Sequence, residues 1–198
     1  MLIVLNGPPG VGKTSFLRDK LGTAIFPANI TISDEPARQR GLGSRPFDGE
    51  GVRPQPLNLV EDGVLKTWLL DSATARELGL KTNGHAMRGG ANPSPGSTNL
   101  TLAAGEQSPE ELMKAIGTGL YITEMIGRGA NLVTGDYSRG AAGFAIRDGV
   151  LAEPVSEITV AGNLTEMFQR LVPASDLEYR FATNAPTVAI EGMTVAGQ

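Results

Sequence analysis

Two Asp-Gly dipeptides constrain the fold of this chain more than any other feature, because each stands between two runs rich in apolar residues. A two-residue type I′ turn needs positive φ angles at both central positions, which Asp followed by Gly adopts readily. The dipeptides are Asp62-Gly63, between residues 57–61 and 64–70, and Asp148-Gly149, between residues 143–147 and 150–152. The sequence therefore predicts two antiparallel hairpins, and the second continues in partial alternation to Val160.

Three short helices are predicted from the signals at their ends. N-cap residues begin them, with a capping box at Ser108-Pro109-Glu110-Glu111, and Gly or Pro ends them. The expected helices are residues 108–117, 71 or 72 to 79, and 163–173, and further strands are expected at residues 30–33, 99–102, 121–123, 131–133 and 187–190. Together these elements predict a single-domain α+β fold, predominantly antiparallel β-sheet with a few short helices. The 26 Gly and 13 Pro residues fit a chain with many tight turns.

The residue inventory excludes several kinds of site. The chain has no Cys and one His, which excludes disulfides, thiolate metal sites, Cys nucleophiles and sites with two imidazoles. That residue, His85, lies in a predicted loop, where a surface or hydrogen-bonding role is favoured over catalysis. The net charge is −4 and the Lys and Arg residues are scattered, so the basic patch of a nucleic-acid binder is missing. The apolar run at residues 1–5 is too short for a signal segment or a membrane span, and we expect a cytoplasmic protein.

Polar and aromatic residues in Gly-rich loops are the candidates for a peptide-binding groove. The candidate groove residues are Arg45, Phe47, Asp48, Tyr137 and Arg139. A plainer alternative is that Arg45, Asp48 and Glu50 form an ion pair that locks the loop of residues 40–53. For Tyr137 and Arg139, the alternative is that their segment only turns the chain. Both pairs of alternatives are open from the sequence.

Residues 7–14 match the phosphate-loop spacing G-x-x-x-x-G-K-[ST] in full. Gly7, Gly10 and Gly12 would let backbone N–H groups point at phosphate oxygens. Lys13 would neutralise phosphate charge, and the Thr14 hydroxyl would bind the Mg²⁺ of ATP or GTP. With the apolar run before it and a potential helix after it, residues 1–22 are predicted to form a strand-loop-helix segment, continuous with the domain of residues 23–198.

A working phosphate-loop enzyme also needs parallel strands that alternate with helices, and an Asp that holds Mg²⁺. The candidates for that Asp are Asp62 and Asp71. Both flank the first predicted hairpin, whose strands run antiparallel, so nucleotide hydrolysis is disfavoured. The alternative is a Gly-rich strand-to-helix turn that binds no phosphate.

Short motifs run in order along the rest of the chain, among them Thr-Ser-Phe-Leu near its start and Gly-Asp-Tyr-Ser-Arg-Gly further on. They lie at residues 14–22, 40–51, 59–65, 68–73, 93–99, 133–144, 154–157, 161–164 and 190–194. In these segments the chain resembles the C-terminal half of the TldD/PmbA metallopeptidase family, and within it the TldE (PmbA) branch. The likeness is far more specific than one phosphate-loop pattern, because it rests on many separate motifs.

The resemblance implies a proteolytic assembly inside the cell that acts on unfolded or extended peptides. A TldD-like subunit would hold zinc, and a TldE-like subunit would pair with it. The family's His-Glu-x-x-x-His motif and its metal-binding Cys do not occur in this chain. The resemblance therefore implies a chain that contributes scaffold and substrate groove, has no metal or catalytic residue of its own, and is inactive alone.

Exposed strand edges and uncovered apolar surface would favour pairing with a TldD-like subunit or with a second copy of this chain. Two other functional classes are open. One is a nucleotide-binding module that uses the phosphate-loop pattern, and the other is a truncated fragment without function.

Overall fold

The computed structural model describes residues 20–127 and 129–197, which form two compact units. Unit 1 contains the described residues up to Ala103 together with Leu177–Pro186, and unit 2 contains Ala104–Asp176 together with the described residues from Thr187. Within this part of the chain no helix is long and apolar enough to cross a membrane. The strand and loop predicted for the first 19 residues lie outside the described residues, so the predicted division at residue 22 stays a prediction.

Short strands outnumber helices in the described residues. In chain order the elements are β1 (Ile32–Asp34), β2 (Leu57–Glu61), β3 (Val64–Leu65), α1 (Ser72–Glu77), β4 (Ala86–Met87), β5 (Ser94–Pro95), β6 (Leu100–Leu102), α2 (Pro109–Ile116), β7 (Gly119–Ile126), β8 (Asp136–Arg147), β9 (Val150–Asn163), α3 (Leu164–Gln169), β10 (Leu171–Pro173), β11 (Thr183–Asn184), β12 (Val188–Ile190) and β13 (Thr194–Ala196). This confirms the predicted α+β class with mostly antiparallel sheet.

Unit 1 is built on a five-stranded sheet with the order β11-β6-β1-β2-β3. Its neighbours are antiparallel except for β6 and β11, which are parallel. On the central strand, Ile32 lies opposite Val60 on one side and Leu102 on the other. Val60, Leu102 and the fully buried Ile30 form part of the core of this unit. Beside this sheet, β4 and β5 form a separate antiparallel pair.

Unit 2 is built on a four-stranded antiparallel sheet with the order β13-β9-β8-β7. The hairpin of β8 and β9 is longer than the sequence predicted and buries Ala141, Ile146 and Ile158. Leu164 and Met167 of α3 are buried as well. A second pair of strands, β10 and β12, completes the unit.

Both Asp-Gly turns have the backbone conformation that the sequence predicts. The φ angles are 50° at Asp62, 76° at Gly63, 49° at Asp148 and 77° at Gly149. Gly63 has a second constraint, since a Cβ placed on it would lie 2.3 Å from the carbonyl oxygen of Phe26. Both predicted hairpins are therefore confirmed, as β2–β3 and β8–β9.

The predicted helix starts are confirmed as well. In the capping box of α2, the Glu111 N–H donates to the Ser108 hydroxyl and the Glu111 carboxylate accepts from the Ser108 N–H. Asp71 caps α1 by accepting from the Thr74 N–H at 2.7 Å. Asn163 caps α3 in the same manner.

Four of the five further strands are confirmed with small shifts at their ends, by β1, β6, β7 and β12. The strand predicted at residues 131–133 is wrong. The Asn131 side chain accepts from the N–H groups of Val133 and Thr134, at 3.0 and 3.4 Å, and this local turn replaces strand pairing.

The third helix is shorter than its prediction to residue 173. It ends at Gln169, because residues 171–173 form β10 and pair with β12. The strand after the first turn is also shorter, since β3 ends at Leu65. Further along, the Leu70 N–H donates to the side chain of Asn83 at 2.9 Å instead of to a neighbouring strand.

Candidate functional site

The buried side-chain amide of Asn99 holds the loop that carries Arg45 and Phe47. Its Oδ1 accepts from the Gly43 N–H at 2.9 Å. Its Nδ2 donates to the Ser44 hydroxyl at 2.9 Å and to the Glu35 carbonyl at 2.7 Å. One side chain therefore fixes the first half of the loop on the residue that precedes β6.

Gly43 permits this close approach. A Cβ at this position would lie 2.1 Å from the carbonyl oxygen of Thr98, a distance that no real Cβ tolerates. The loop backbone therefore lies directly on the backbone of Thr98, and no larger residue fits at position 43 without moving it.

Asp48 fixes the second half of the loop. Its Oδ1 accepts from the N–H groups of Glu50 and Val52, at 2.9 and 2.8 Å, and its Oδ2 accepts from the Ala86 N–H at 3.0 Å. Burial alone would raise the pKa of this carboxyl, but the three backbone N–H groups and the positive charge of Arg45 hold it below the usual value. Asp48 thus ties the loop to β4.

This loop is not held by an ion pair, which was the alternative that the sequence left open. Among the described residues, neither Asp48 nor Glu50 has a Lys, Arg or His nitrogen within ion-pair distance. The carboxylate of Glu50 instead accepts from the N–H and hydroxyl of Ser72, at 2.9 and 2.7 Å. Backbone and hydroxyl donors therefore hold both acidic residues.

Two large apolar side chains are exposed on this loop, near the partly buried Arg45. Phe47 is 62% exposed and Leu42 is 75% exposed. Arg45 is partly buried, donates from Nη2 to the Ser97 carbonyl at 3.3 Å, and contacts the sulfur of Met87. The arrangement places the Arg45 guanidinium and these two apolar groups on an anchored backbone.

A second polar cluster, around Asp34, is buried in the same unit and also involves Thr98. The carboxylate is fully buried and accepts from the N–H and the hydroxyl of Thr98. Nε2 of the fully buried His85 lies 3.6 Å away, while its Nδ1 is 3.0 Å from the carbonyl oxygen of Asn83. The sequence favoured either a surface position or a hydrogen-bonding role for His85. In the structure the ring is buried and forms a hydrogen bond. Burial raises the pKa of Asp34, but His85 and Thr98 together outweigh it and lower the pKa below its ordinary value.

The two candidate residues of unit 2 lie on β8. Tyr137 is 3% exposed, and burial raises its pKa although the neighbouring Arg139 acts in the opposite direction. Arg139 donates from Nη2 to the Met125 carbonyl on β7 at 3.1 Å. The structure thus brings Arg45, Phe47 and Asp48 together in one loop of unit 1 and places Tyr137 and Arg139 in unit 2. Their contact with a peptide stays a prediction.

The phosphate-loop candidates Gly7, Gly10, Gly12, Lys13 and Thr14 lie outside the described residues. The two Asp residues considered for Mg²⁺ have structural positions, since Asp62 occupies the exposed hairpin turn and Asp71 caps α1. In residues 20–127 and 129–197, no three His, Cys, Asp or Glu side chains lie close enough to hold a metal ion. The described residues therefore do not fit a zinc site.

Two important residues carry no local signal that would have revealed them. Asn99 anchors a loop 56 positions away in sequence, and Asp34 accepts from a residue 64 positions away. Only the Thr98-Asn99 pair, polar residues at the start of an apolar strand, hints at a special role.

The sequence-family model of the PmbA/TldA metallopeptidase C-terminal domain matches residues 4–197 of this chain. The chain belongs to this family. Metalloprotease PmbA of Escherichia coli O157:H7 is 45% identical over 187 residues, which cover 94% of this chain and 40% of that protein. The PmbA homolog of Haemophilus influenzae is 41% identical and covers 93% of this chain and 40% of its own length. The chain thus spans about two-fifths of these relatives.

Solved structures agree with this membership. A Thermotoga maritima MSB8 protein, whose description proposes it as a modulator of a DNA gyrase, superposes with a TM-score of 0.79 at 38% identity, over 91% of this chain and 42% of that one. TldE from Thermococcus kodakarensis superposes with a TM-score of 0.81 at 23% identity, over 94% of this chain and 45% of its own. At that identity the second comparison shows a shared fold alone.

Proposed function

We propose that this chain acts as the C-terminal domain of a PmbA/TldE-like subunit in a cytoplasmic metallopeptidase assembly. In this assembly it supplies scaffold and a surface for extended peptides, and a TldD-like partner holds the zinc. The family membership supports the class of assembly, and the 45% identity to metalloprotease PmbA supports the assignment of this chain to the PmbA/TldE side.

The observation that carries the peptide-binding role is the free edge of β7. This strand of eight residues pairs with β8 on one side, and no other strand in the described part of the chain pairs with its outer side. An extended peptide can add to such an edge as the next strand, with backbone hydrogen bonds that do not depend on its sequence. Those bonds suit an assembly whose substrates are unfolded.

Tyr137 and Arg139 support this edge from the neighbouring strand. The hydrogen bond from Arg139 to the Met125 carbonyl ties β8 to the far end of β7. Tyr137 is buried beside Arg139 and keeps its own strand packed. In this proposal both are positioning residues for the edge, while Arg45, Phe47 and Asp48 belong to a separate contact surface in unit 1.

The test uses two peptides with the same side chains, one with an ordinary backbone and one N-methylated at alternate residues. This chain is co-expressed with a TldD-like subunit, the complex is isolated, and the affinity of each peptide is measured from its inhibition of the cleavage of a third, reporter peptide. N-methylation removes the donors that a strand ladder needs, so we expect the methylated peptide to bind at least about tenfold more weakly. Equal inhibition of cleavage by both peptides would count against strand addition.

Light scattering of the chain with and without the TldD-like subunit tests the pairing. We expect a complex or, for the chain alone, a self-associated form. A monomer that is unchanged by the partner, together with cleavage that does not depend on this chain, would instead favour the truncated fragment without function.

A second candidate function rests on the complete G-x-x-x-x-G-K-T pattern of residues 7–14. Such a loop would bind the phosphates of ATP or GTP with Mg²⁺. Calorimetric titration of Mg-ATP into the wild type and Lys13→Ala tests it, because removal of the lysine should abolish most of the affinity. If neither protein takes up nucleotide, the motif is a Gly-rich turn without phosphate.

A further inference from the structure

Arg45 carries a positive charge for which the described residues provide no adjacent carboxylate. No Asp or Glu oxygen in that part of the chain lies within 4.0 Å of its guanidinium. Its Nε is buried without a hydrogen-bond partner, its Nη1 contacts the Met87 sulfur, and its Nη2 donates to the Ser97 carbonyl at 3.3 Å. Each of the two NH₂ groups has a second hydrogen, and a partly buried guanidinium gains more from an incoming anion at these groups than a fully solvated one does.

The neighbouring carboxylate of Asp48 already accepts three hydrogen bonds. Asp48 attracts Arg45 electrostatically, but its two oxygens accept the N–H groups of Glu50, Val52 and Ala86. The donors of Arg45 therefore have no fork of carboxylate oxygens to pair with inside the loop. A carboxylate from another molecule can provide that fork without breaking an ion pair in this one.

The surroundings of Arg45 favour an acidic partner over a basic one. The loop of residues 40–53 carries two further exposed arginines, Arg40 and Arg53, while its acidic residues are Asp48 and Glu50. Glu50 is exposed as well, so three arginines and two carboxylates leave the loop with a formal charge of about +1. This complements a negatively charged ligand.

Phe47 provides an apolar contact two residues further along. It is exposed, yet it follows a backbone fixed by Asn99 on one side and by Asp48 on the other. Arg and aromatic side chains on a preorganised backbone are the groups that most often dominate binding energy at protein interfaces. The loop thus carries a cation and an aromatic ring two residues apart in sequence on an anchored backbone.

We propose that Arg45 and Phe47 form a specificity subsite that binds an acidic side chain and an adjacent apolar side chain of an extended peptide. The carboxylate accepts hydrogen bonds from the Arg45 guanidinium, and the apolar side chain packs on the Phe47 ring. The inference rests on the proposed peptide-binding function and adds a preference for acidic sequences to it.

The experiment uses two fluorescein-labelled capped peptides, identical except that one has Glu next to Leu and the other has Gln next to Leu. Their affinities for the full chain are measured by fluorescence anisotropy at low salt. A charge-assisted contact predicts that the Glu peptide binds about tenfold more tightly than the Gln peptide. Arg45→Gln should reduce this ratio to about one, and Arg45→Lys should restore it only in part, because Lys lacks the planar fork.

Arg53→Gln is the matched control, since it removes the same charge from an exposed arginine of the same loop. It should keep the preference for Glu. Thermal unfolding of each variant checks that the loop is intact, and Arg45→Lys keeps the test valid if Arg45→Gln is unstable. Equal affinity of the wild type for the two peptides, or an equal loss in Arg53→Gln, would overturn the subsite while leaving peptide binding in place. If neither peptide binds, the subsite and the proposed peptide-binding function fail together.

Discussion

Nε2 of His85 lies 3.6 Å from Oδ1 of Asp34, and both side chains are fully buried in unit 1. Nδ1 of the same ring is 3.0 Å from the carbonyl oxygen of Asn83. A carbonyl can only accept, so Nδ1 carries a hydrogen and donates it to Asn83, and this fixes the orientation of the ring. The single histidine of the chain therefore links β1 to the segment that leads into β4.

The Asp34 carboxylate should make the protein sensitive to acid. Its pKa lies below the ordinary value, because the effects of His85 and Thr98 exceed that of burial. The unfolded chain therefore takes up the proton at a higher pH than the folded chain. The stability that this carboxylate contributes is complete above the unfolded-state pKa of about 3.9 and is lost as the pH falls through the folded-state value. Urea unfolding between pH 7 and pH 3 measures this loss.

Asp34→Asn and Asp62→Asn form a matched pair for that experiment. We expect Asp34→Asn to destabilise the protein by about 1–3 kcal/mol at pH 7, because its amide cannot replace every contact of the carboxylate. It should also reduce the loss of stability in acid. Asp62 is exposed in a turn at positive φ, which Asn tolerates, so Asp62→Asn should behave as the wild type. An unchanged acid dependence in Asp34→Asn would contradict the prediction.

Local signals explain what the sequence predicts correctly. An Asp-Gly turn or a capping box depends on residues within four positions of each other, so Asp62-Gly63 and Ser108 reveal their roles without the rest of the fold. At residues 131–133 the pattern of apolar residues predicted a strand, but the Asn131 side chain binds the nearby backbone and forms a turn instead. Helix α3 ends early because residues 171–173 pair with a strand that follows much later.

The candidate site was predicted only in part, because its anchors are distant in sequence. Arg45 and Phe47 were recognisable as polar and aromatic residues in a Gly-rich loop. Asn99 was not, because its hydrogen bond to the Gly43 N–H spans 56 positions and exists only once β6 lies beside β1. No spacing within a single segment reports such a contact.

Asp48→Asn should loosen the connection between the loop and β4. The oxygen of the new amide can still accept from the N–H groups of Glu50 and Val52. Its NH₂ group then faces the N–H of Ala86. Because two donors cannot pair, we expect a loss of about 1–3 kcal/mol in the free energy of unfolding. Hydrogen exchange at the Ala86 amide should become faster. Asp148→Asn, in the exposed turn of unit 2, is the control and should leave both measurements unchanged.

Gly63→Ala and Gly51→Ala separate two reasons for glycine. Both positions have positive φ, 76° and 80°, so each substitution carries backbone strain of about 1–2 kcal/mol. At Gly51 the new Cβ meets nothing within 4 Å, whereas at Gly63 it lies 2.3 Å from the Phe26 carbonyl oxygen. We therefore expect Gly63→Ala to cost about 1–3 kcal/mol more than Gly51→Ala in urea unfolding. Equal costs would show that the turn moves away from residue 26.

Ser108→Ala removes half of the capping box of α2. The lost hydroxyl accepts from the Glu111 N–H at 3.2 Å, and the substitution should cost about 1 kcal/mol in the free energy of unfolding. Ser175→Ala, at an exposed position outside any helix, is the control and should have no measurable effect.

A double-mutant cycle with Glu111→Ala tests whether the two halves of the box depend on each other. The Glu111 carboxylate accepts from the Ser108 N–H at 2.7 Å, which holds residue 108 where its hydroxyl reaches the Glu111 N–H. Loss of either bond should therefore weaken the other, and the double variant should lose less than the sum of the two single variants, by about 0.5 kcal/mol or more. Strict additivity would mean that the two bonds act independently and that the Ser108 N–H is satisfied by solvent once the carboxylate is gone.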